Sequence, residues 1–119
     1  MQWYLKVMQQ YVVFSGRAQR AEYWFFILFY MLGYIILVVV DLLLGAYNAE
    51  SGFGLLSGIF LLVHLLPSIA VSVRRLHDIG MTGWWYLLVI IPIIGPLVLL
   101  IFFVTDSKDN NEYGPNPKA

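Results

Sequence analysis

Three long apolar runs dominate this sequence and leave few choices for its fold. The first run, residues 23–44, reads YWFFILFYMLGYIILVVVDLLL and contains one charged residue, Asp41, near its end. A helix rises about 1.5 Å per residue, so roughly 20 residues cross a bilayer core of roughly 30 Å. The first run is therefore predicted to be a membrane-spanning helix.

Two further runs of similar length follow. Residues 54–73 end at Arg74 and Arg75, whose charges are costly to bury in lipid. Residues 84–104 begin with a pair of tryptophans, which suit the headgroup level of a membrane. The pattern predicts an all-α integral membrane protein with about three transmembrane helices.

The third run contains helix-breaking residues near its middle, namely Pro92, Gly95 and Pro96. Proline removes a backbone donor and loosens a helix at that point. Two interpretations follow: one kinked span, which we favour, or a re-entrant hairpin, because the run is too short for two full crossings. The choice decides on which side of the membrane the C-terminus lies.

The composition agrees with a membrane protein, since 61% of the residues are apolar and 12% are charged, whereas soluble domains have about 25% charged residues. The formal net charge is zero and the basic residues form no long run, so nucleic acid is not an expected partner. The sequence contains no Cys, which excludes disulfides and thiolate metal sites. We expect no cofactor.

The regions outside the apolar runs predict an interfacial helix and a polar tail within one domain, residues 1–119. Apolar side chains repeat at helical spacing within residues 1–14, on a face formed by Trp3, Tyr4, Val7, Met8, Tyr11 and Val12. Such an amphipathic helix either lies on the membrane surface or packs against the bundle. Residues 105–119 are polar and rich in turn formers, so we expect a tail without a packed core.

The positive charges predict a cytoplasmic N-terminus, because loops on the cytoplasmic side of a membrane are enriched in Lys and Arg. With three spans the count is five basic residues against two, namely Lys6, Arg17, Arg20, Arg74 and Arg75 against Lys108 and Lys118. With a re-entrant hairpin the count becomes seven against none, which fits the rule better.

Five short blocks carry a resemblance to a known family. They are WYLKV (residues 3–7), FSGRAQRAEYW (14–24), RRLHDIGMTGWW (74–85), PIIG (92–95) and YGPNP (113–117). In this order they resemble the domain-of-unknown-function 805 family, the YhaH/YhaI-like bacterial inner membrane proteins. The resemblance implies a bacterial inner membrane location and a compact domain, and the family carries no established activity that could be transferred.

A loop over residues 74–80 is the strongest candidate site, because it sets two guanidiniums, an imidazole and a carboxylate at one membrane edge. Paired arginines offer bidentate donors to phosphate, so an anion or a lipid headgroup is a candidate ligand. The candidate residues are Arg17, Arg20, Arg74, Arg75, His77 and Asp78.

A structural interpretation of the same loop is favoured. The arginines then end the span, their partners are Asp78 or Glu22, and Gly80 ends the helix. A His-Asp pair is weak evidence for a metal, since no second His or carboxylate stands at ligand spacing on the same helix face. We predict no metal site and no catalytic residue.

Polar residues within the runs are further candidates. His64 lies near the midpoint of the second run and either relays protons or lines a polar path or, as we favour, bonds a backbone carbonyl on a neighbouring helix. Asp41 is nearer the end of the first run, where solvation or capping is expected rather than catalysis. Two pairs of small residues at i, i+4 suit close helix packing, within one chain or between copies: Gly54 with Gly58, and Ser68 with Ser72.

The favoured function is a non-enzymatic inner membrane protein that serves as an interaction or accessory module. Its expected partners are the lipid bilayer and an anionic lipid or another membrane protein, and a homo-oligomer is a further hypothesis. One alternative is an oligomeric transporter or channel subunit that uses His64, Asp41 and the broken third run. A second alternative is a lipid-headgroup enzyme with His77 as its base.

Overall fold

The structure is a computed structural model, and it describes residues 2–48, 50, 53–108, 111–114 and 117. Its elements, in chain order, are helix α1 (Gln2–Gln9), helix α2 (Arg20–Leu44), strands β1 (Tyr47–Asn48) and β2 (Phe53–Gly54), helix α3 (Leu55–Asp78), a 3₁₀ helix (Gly83–Ile90) and helix α4 (Ile94–Val104). Met1 and Lys118, which belong to the predicted first segment and tail, lie outside the described residues.

Helices α2 and α3 confirm the first two predicted runs as long apolar helices. They contain 25 and 24 residues, which suffices to cross a membrane. In the most apolar stretch of α2, 6% of the residues are buried inside the molecule. The core helix of a soluble protein would be mostly buried, so the exposed apolar surface of α2 is suited to lipid.

A tight connection joins the two long helices. Gly45 ends α2 with φ at 71°, and its N–H and that of Ala46 donate to the carbonyls of Leu42 and Asp41, which is a Schellman ending. Strands β1 and β2 then pair antiparallel, with Tyr47 opposite Gly54. This connection sets α2 and α3 side by side in opposite directions.

Helix α3 runs five residues beyond the predicted span and ends at Asp78. The expectation that residues 74–80 form a loop is therefore wrong. Gly80, at φ 80°, ends the helix as predicted, since its N–H and that of Met81 donate to His77 and Leu76. As a result Arg75 and Asp78 stand one helical turn apart on the same face.

The third apolar run forms a hairpin, and the favoured single kinked helix is wrong. At its beginning, Gly83 lies so close to Val73 that a Cβ atom would stand 2.7 Å from Val73 Cγ1. At its end, the Phe103 carbonyl accepts a hydrogen bond from Arg75 Nε at 3.1 Å. Both ends of the run therefore meet the C-terminal end of α3, which we call the Arg-rich edge because Arg74, Arg75 and Arg17 lie there.

A strained turn reverses the chain at the tip of the hairpin. Ile93 has φ 67° and ψ −60°, and the Ile94 N–H donates to the Pro92 carbonyl at 2.7 Å. This is a γ-turn of the rare hand. Gly95 then lets α4 pack against the backbone carbonyl of Leu88, where a Cβ atom would collide. The prolines and Gly95 mark the break as predicted, and the predicted count of three spanning helices is not confirmed.

Helix α1 packs against the bundle, which was one of the two interpretations. Val7 is completely buried, and the Tyr4 ring stacks on Phe26 with centroids 5.7 Å apart. The buried apolar core lies between α1, α2, α3 and α4 and is formed by Val7, Ala18, Tyr23, Phe26, Val71, Leu76, Leu99 and Phe103. It lies towards the Arg-rich edge.

Candidate functional site

Asp78 is the centre of a buried ion-pair cluster at the Arg-rich edge. Its carboxylate accepts hydrogen bonds from Arg17 Nε at 3.0 Å, Arg75 Nη1 at 2.9 Å and Ser107 Oγ at 2.5 Å. The side chains of Asp78 and Arg75 are 0% exposed and that of Arg17 is 2% exposed. Both oxygens of this buried carboxylate therefore have hydrogen-bond donors, and two guanidiniums compensate its charge.

Arg75 fastens the hairpin to α3. Its Nε and Nη2 donate to the Phe103 carbonyl at 3.1 and 3.0 Å, and Nη2 also donates to the Thr105 carbonyl. The last carbonyls of a helix lack partners within the helix and carry partial negative charge. A guanidinium at the end of α4 satisfies them and holds the returning arm of the hairpin at this edge.

Arg17 fastens the tail to the same place. Its Nη2 donates to the carbonyls of Asp78 at 2.8 Å and Lys108 at 2.5 Å, and its Nη1 donates to Gly114 at 2.9 Å. The Lys108 N–H in turn donates to the Asp78 carbonyl at 3.0 Å. The described part of the tail is therefore docked on the cluster by hydrogen bonds, and none of its described residues is buried.

Arg74 belongs to a second pair beside the first. Its Nη1 donates to Glu22 Oε2 at 2.6 Å and to Gln10 Oε1 at 2.5 Å, and Lys6 Nζ lies 3.0 Å from Glu22 Oε1. That oxygen accepts no well-aligned hydrogen bond, so its contact with Lys6 is ionic. Within the described residues, Arg74 Nε and Nη2 are buried without an acceptor.

His77 is held by the loop before α2 and by the tail. Its Nδ1 lies 3.0 Å from the Gly16 carbonyl, which can only accept, so Nδ1 carries the proton in this contact. Its ring stacks on Tyr113 at 4.0 Å with an interplanar angle of 1°, and Asn111 Nδ2 donates to its carbonyl. His77 thus connects three parts of the chain.

Arg20 stands apart from the buried cluster. Its side chain is 45% exposed, its Nη1 donates to the Val104 carbonyl at 3.2 Å, and its Nη2 lies 3.4 Å from Asp106. Six residues were predicted to form one site. Five of them, Asp78 included, lie in the buried cluster or beside it, whereas Arg20 faces the outer surface.

His64 is fully engaged inside the bundle. Its Nδ1 lies 2.8 Å from the Phe60 carbonyl and its Nε2 lies 2.6 Å from the Tyr4 hydroxyl. Because a carbonyl cannot donate, Nδ1 carries the proton and Nε2 accepts from Tyr4. Burial raises the pKa of Tyr4, so this hydroxyl keeps its proton and donates it. The carbonyl partner belongs to α3 itself and the partner on a neighbouring helix is the Tyr4 hydroxyl, which differs from the expected bond to a carbonyl of a neighbouring helix.

Asp41 caps helix α3 from the neighbouring helix. Its carboxylate accepts from the N–H groups of Leu56 at 3.0 Å and Ser57 at 2.9 Å. The residue before α3 is Gly54, which has no side chain to serve as a cap, so Asp41 supplies the missing acceptor. Of the two roles expected for Asp41, solvation and capping, the structure shows a capping contact on a completely buried side chain.

The predicted small-residue pairs contribute unevenly to the contact between α2 and α3: Gly54 and Ser72 lie against Asp41 and Tyr23 of α2, whereas Gly58 does not pack against α2. A Cβ atom on Gly54 would collide with the Asp41 carboxylate, while one on Gly58 would meet nothing within 4 Å among the described residues. Ser68 and Ser72 donate to carbonyls of their own helix. A further close approach of α2 and α3 occurs at Gly33, where a Cβ atom would stand 2.9 Å from Phe60.

Most charged groups of this cluster are bonded to one another or to backbone carbonyls, and the unsatisfied atoms of Arg74 and Glu22 are buried. The cluster also includes three residues that the sequence analysis missed, namely Gln10, Ser107 and Tyr113. Single polar residues far apart in sequence give no periodic signal. The available clue was the family resemblance, since one of its ordered blocks contains Tyr113. The part of the chain that the structure describes contains no group of three His, Asp or Glu residues able to hold a metal ion.

Comparison with known proteins gives one family and several relatives. The family model described as "Protein of unknown function (DUF805)" matches residues 11–115. Inner membrane protein YhaI of Escherichia coli K12 is 47% identical over 119 residues, which is 99% of this chain and 97% of YhaI. Inner membrane protein YhaH of the same strain is 44% identical and covers 99% of this chain and 98% of YhaH.

The comparison also gives one more distant relative and no solved structure. The uncharacterized protein YiiR of Escherichia coli K12 is 31% identical over 88 residues, which is 73% of this chain and 56% of YiiR. No solved structure matches this chain.

Proposed function

The chain belongs to the DUF805 family of proteins of unknown function, and from this premise we propose that it is a small, non-enzymatic inner membrane protein of bacteria that serves as an accessory module. The names of YhaI and YhaH support this location. The observation that carries the proposal is the cluster around Asp78, whose charges pair with one another and with backbone carbonyls. Groups saturated in this way hold elements together and have little capacity left to act on a substrate.

The proposed topology has two crossings, by α2 and α3, and a re-entrant hairpin. The arms of the hairpin contain 8 and 11 residues. Each arm is about 16 Å long, given the rise of a 3₁₀ helix or an α-helix. Since the hydrocarbon core is roughly 30 Å thick, each arm reaches about its middle and returns.

The proposed orientation puts the N-terminus and the described tail in the cytoplasm. Basic residues gather at the Arg-rich edge: Lys6, Arg17, Arg20, Arg74, Arg75 and Lys108. Because the hairpin brings Lys108 back to this edge, the distribution follows the positive-inside rule more closely than three crossings would. Lys118, which completes the predicted count of seven, lies outside the described residues.

Reconstitution of the full chain into sealed phospholipid vesicles tests the proposal. We expect no flux of ions or small solutes between pH 5 and 8 and no change in the lipid composition during incubation. Flux that is lost in a His64→Ala variant would instead support a channel or transporter. Lipid turnover that is lost in a His77→Ala variant would instead support an enzyme, and either result would overturn the accessory role.

A further inference from the structure

An open groove runs along the outer surface from the Arg-rich edge. It has a volume of about 650 Å³ and lies between the first turns of α2 and the end of α4. Arg20 stands at one end, and the walls are formed by Ala21, Trp24, Phe25, Leu28 and Val104. Arg20 and Leu28 are eight residues apart on a helix, so the groove extends about 12 Å from the charged end.

The walls of the groove are fixed by the fold. Trp24 Nε1 donates to the Phe103 carbonyl at 3.0 Å, which holds the indole between α2 and α4. Phe25 and Leu28 remain 46% and 48% exposed, so their apolar surfaces face the surroundings of the protein. The small side chain of Ala21 leaves the space between Arg20 and Leu28 open. A flexible apolar chain can lie along such a surface.

The charged end of the groove is the accessible guanidinium of this edge. Arg17, Arg74 and Arg75 have side chains that are at most 2% exposed, whereas that of Arg20 is 45% exposed. The partner of Arg20 is Asp106, itself 53% exposed, at a distance of 3.4 Å. An exposed ion pair of this length contributes little, so a phosphate can take the place of the carboxylate.

The surrounding charge favours an anionic ligand. The described residues of the edge include six cations and four acids: Lys6, Arg17, Arg20, Arg74, Arg75 and Lys108 against Glu22, Asp78, Asp106 and Glu112. The excess of two positive charges attracts an anionic lipid more strongly than a zwitterionic lipid, whose headgroup has no net charge.

We propose that this groove binds one anionic phospholipid, with its phosphate on Arg20 and one acyl chain along Trp24 and Leu28. The proposal takes the membrane location from the proposed function. It identifies a lipid as the occupant, because an apolar wall that begins at an accessible guanidinium matches a molecule with a charged head and an apolar tail.

Native mass spectrometry of the full chain, purified in mild detergent and supplied with equal phosphatidylglycerol and phosphatidylethanolamine, tests this site. We expect one phosphatidylglycerol to be retained in preference. The Arg20→Gln variant should bind it about fivefold more weakly, as expected for the loss of one cation near a lipid headgroup. The matched variant Lys108→Gln, which removes the same charge at the same edge, should change binding less than twofold.

A Leu28→Trp variant tests the apolar part of the groove. It should weaken retention of phosphatidylglycerol while leaving the melting temperature within a few degrees, since Leu28 is half exposed. Equal losses in Arg20→Gln and Lys108→Gln, or equal retention of both lipids, would overturn the proposal. A groove filled by another copy of the chain would appear as dimers that lose no lipid in either Arg20→Gln or Leu28→Trp, which would also overturn it.

The lipid-binding experiment and the vesicle experiment test the two proposals independently. A chain that conducts ions or turns over lipid would refute the accessory role and leave the preference for phosphatidylglycerol measurable. A chain without lipid preference would refute the groove site and leave the absence of activity unchanged.

Discussion

At the scale of the residue, Asp78 has the largest consequences for the fold. Two guanidiniums meet its carboxylate where water is excluded. A buried ion pair adds little net stability over an apolar substitute, but removing one partner leaves an uncompensated charge. Here the removal of one carboxylate would affect Arg17 and Arg75 together, and with them the tail and the hairpin.

The Asp78→Asn substitution is therefore expected to lower the free energy of unfolding by about 3 kcal/mol or more, since breaking a buried pair costs about 3–5 kcal/mol. Asp106→Asn is the matched control, because Asp106 pairs with Arg20 at the surface and such a pair contributes about 0–1 kcal/mol. Denaturant titration in detergent micelles measures both. Equal effects of the two substitutions would contradict the central position of Asp78.

A second residue-scale prediction concerns His64. Tyr4→Phe leaves Nε2 of the buried imidazole without its donor and is expected to cost about 1–3 kcal/mol, the penalty for an unsatisfied buried polar group. Tyr47→Phe removes the same hydroxyl in strand β1 and should have less than half of this effect. If Tyr4→Phe proved as mild as Tyr47→Phe under the same titration, the hydrogen bond to His64 would not stabilise the protein.

At the scale of the element, helix α3 depends on a cap that comes from α2. Gly54 permits this cap because a Cβ atom there would overlap the Asp41 carboxylate. Residues Leu56 and Ser57 then receive an acceptor for two of the N–H groups that begin every helix without a partner. The two long helices are thus coupled at the end opposite the Arg-rich edge.

Two alanine substitutions in this region should have opposite signs. Gly54→Ala is expected to destabilise the protein by about 1–2 kcal/mol, as the loss of a helix cap does. Gly58→Ala should stabilise it by up to about 1 kcal/mol, because Ala favours the helix and a Cβ atom there meets open space. Thermal unfolding monitored by circular dichroism can compare the two. Destabilisation by both would mean that Gly58 has a packing partner, such as a second copy of the chain.

At the scale of the whole molecule, the hairpin decides where the C-terminal half lies. Both ends of the third run meet the Arg-rich edge, through Gly83 on Val73 and Phe103 on Arg75. The same contacts bring the described tail onto the cluster. A chain of 119 residues is thereby closed at one membrane edge by contacts between its N-terminal loop, α3, α4 and tail.

Labelling of single cysteines tests this topology, because the sequence contains no Cys of its own. In intact cells, a membrane-impermeant maleimide should label Glu50→Cys and should not label Lys108→Cys, which reacts after the cells are opened. Ile93→Cys, at the hairpin tip, should resist labelling from both sides. Labelling of Ile93→Cys or Lys108→Cys in intact cells would show that the third run crosses the membrane.

The sequence predicted much of the candidate site and little of its connectivity. Arg17, Arg74, Arg75 and Asp78 were identified as a group, with Glu22 or Asp78 as expected partners, since their charges adjoin apolar runs. Which charges pair could not be predicted, because Arg17 bonds to residues 61 and 97 positions away. Arg20, predicted in the same group, lies at the outer surface, where it bonds to Val104 and Asp106 at the end of α4.

The sequence by itself determined the two long apolar helices, the end of the first run at residue 44, the end of the second helix at Gly80 and the weak point around Pro92, because length, hydropathy and backbone preference are local properties. The tertiary structure decided that the third run folds back. An apolar run of 21 residues suits either a crossing or a hairpin equally well in lipid. Whether the run crosses or folds back depends on whether a residue distant in sequence donates hydrogen bonds to the last carbonyls of the returning arm. Arg75, which is paired with Asp78, supplies those donors.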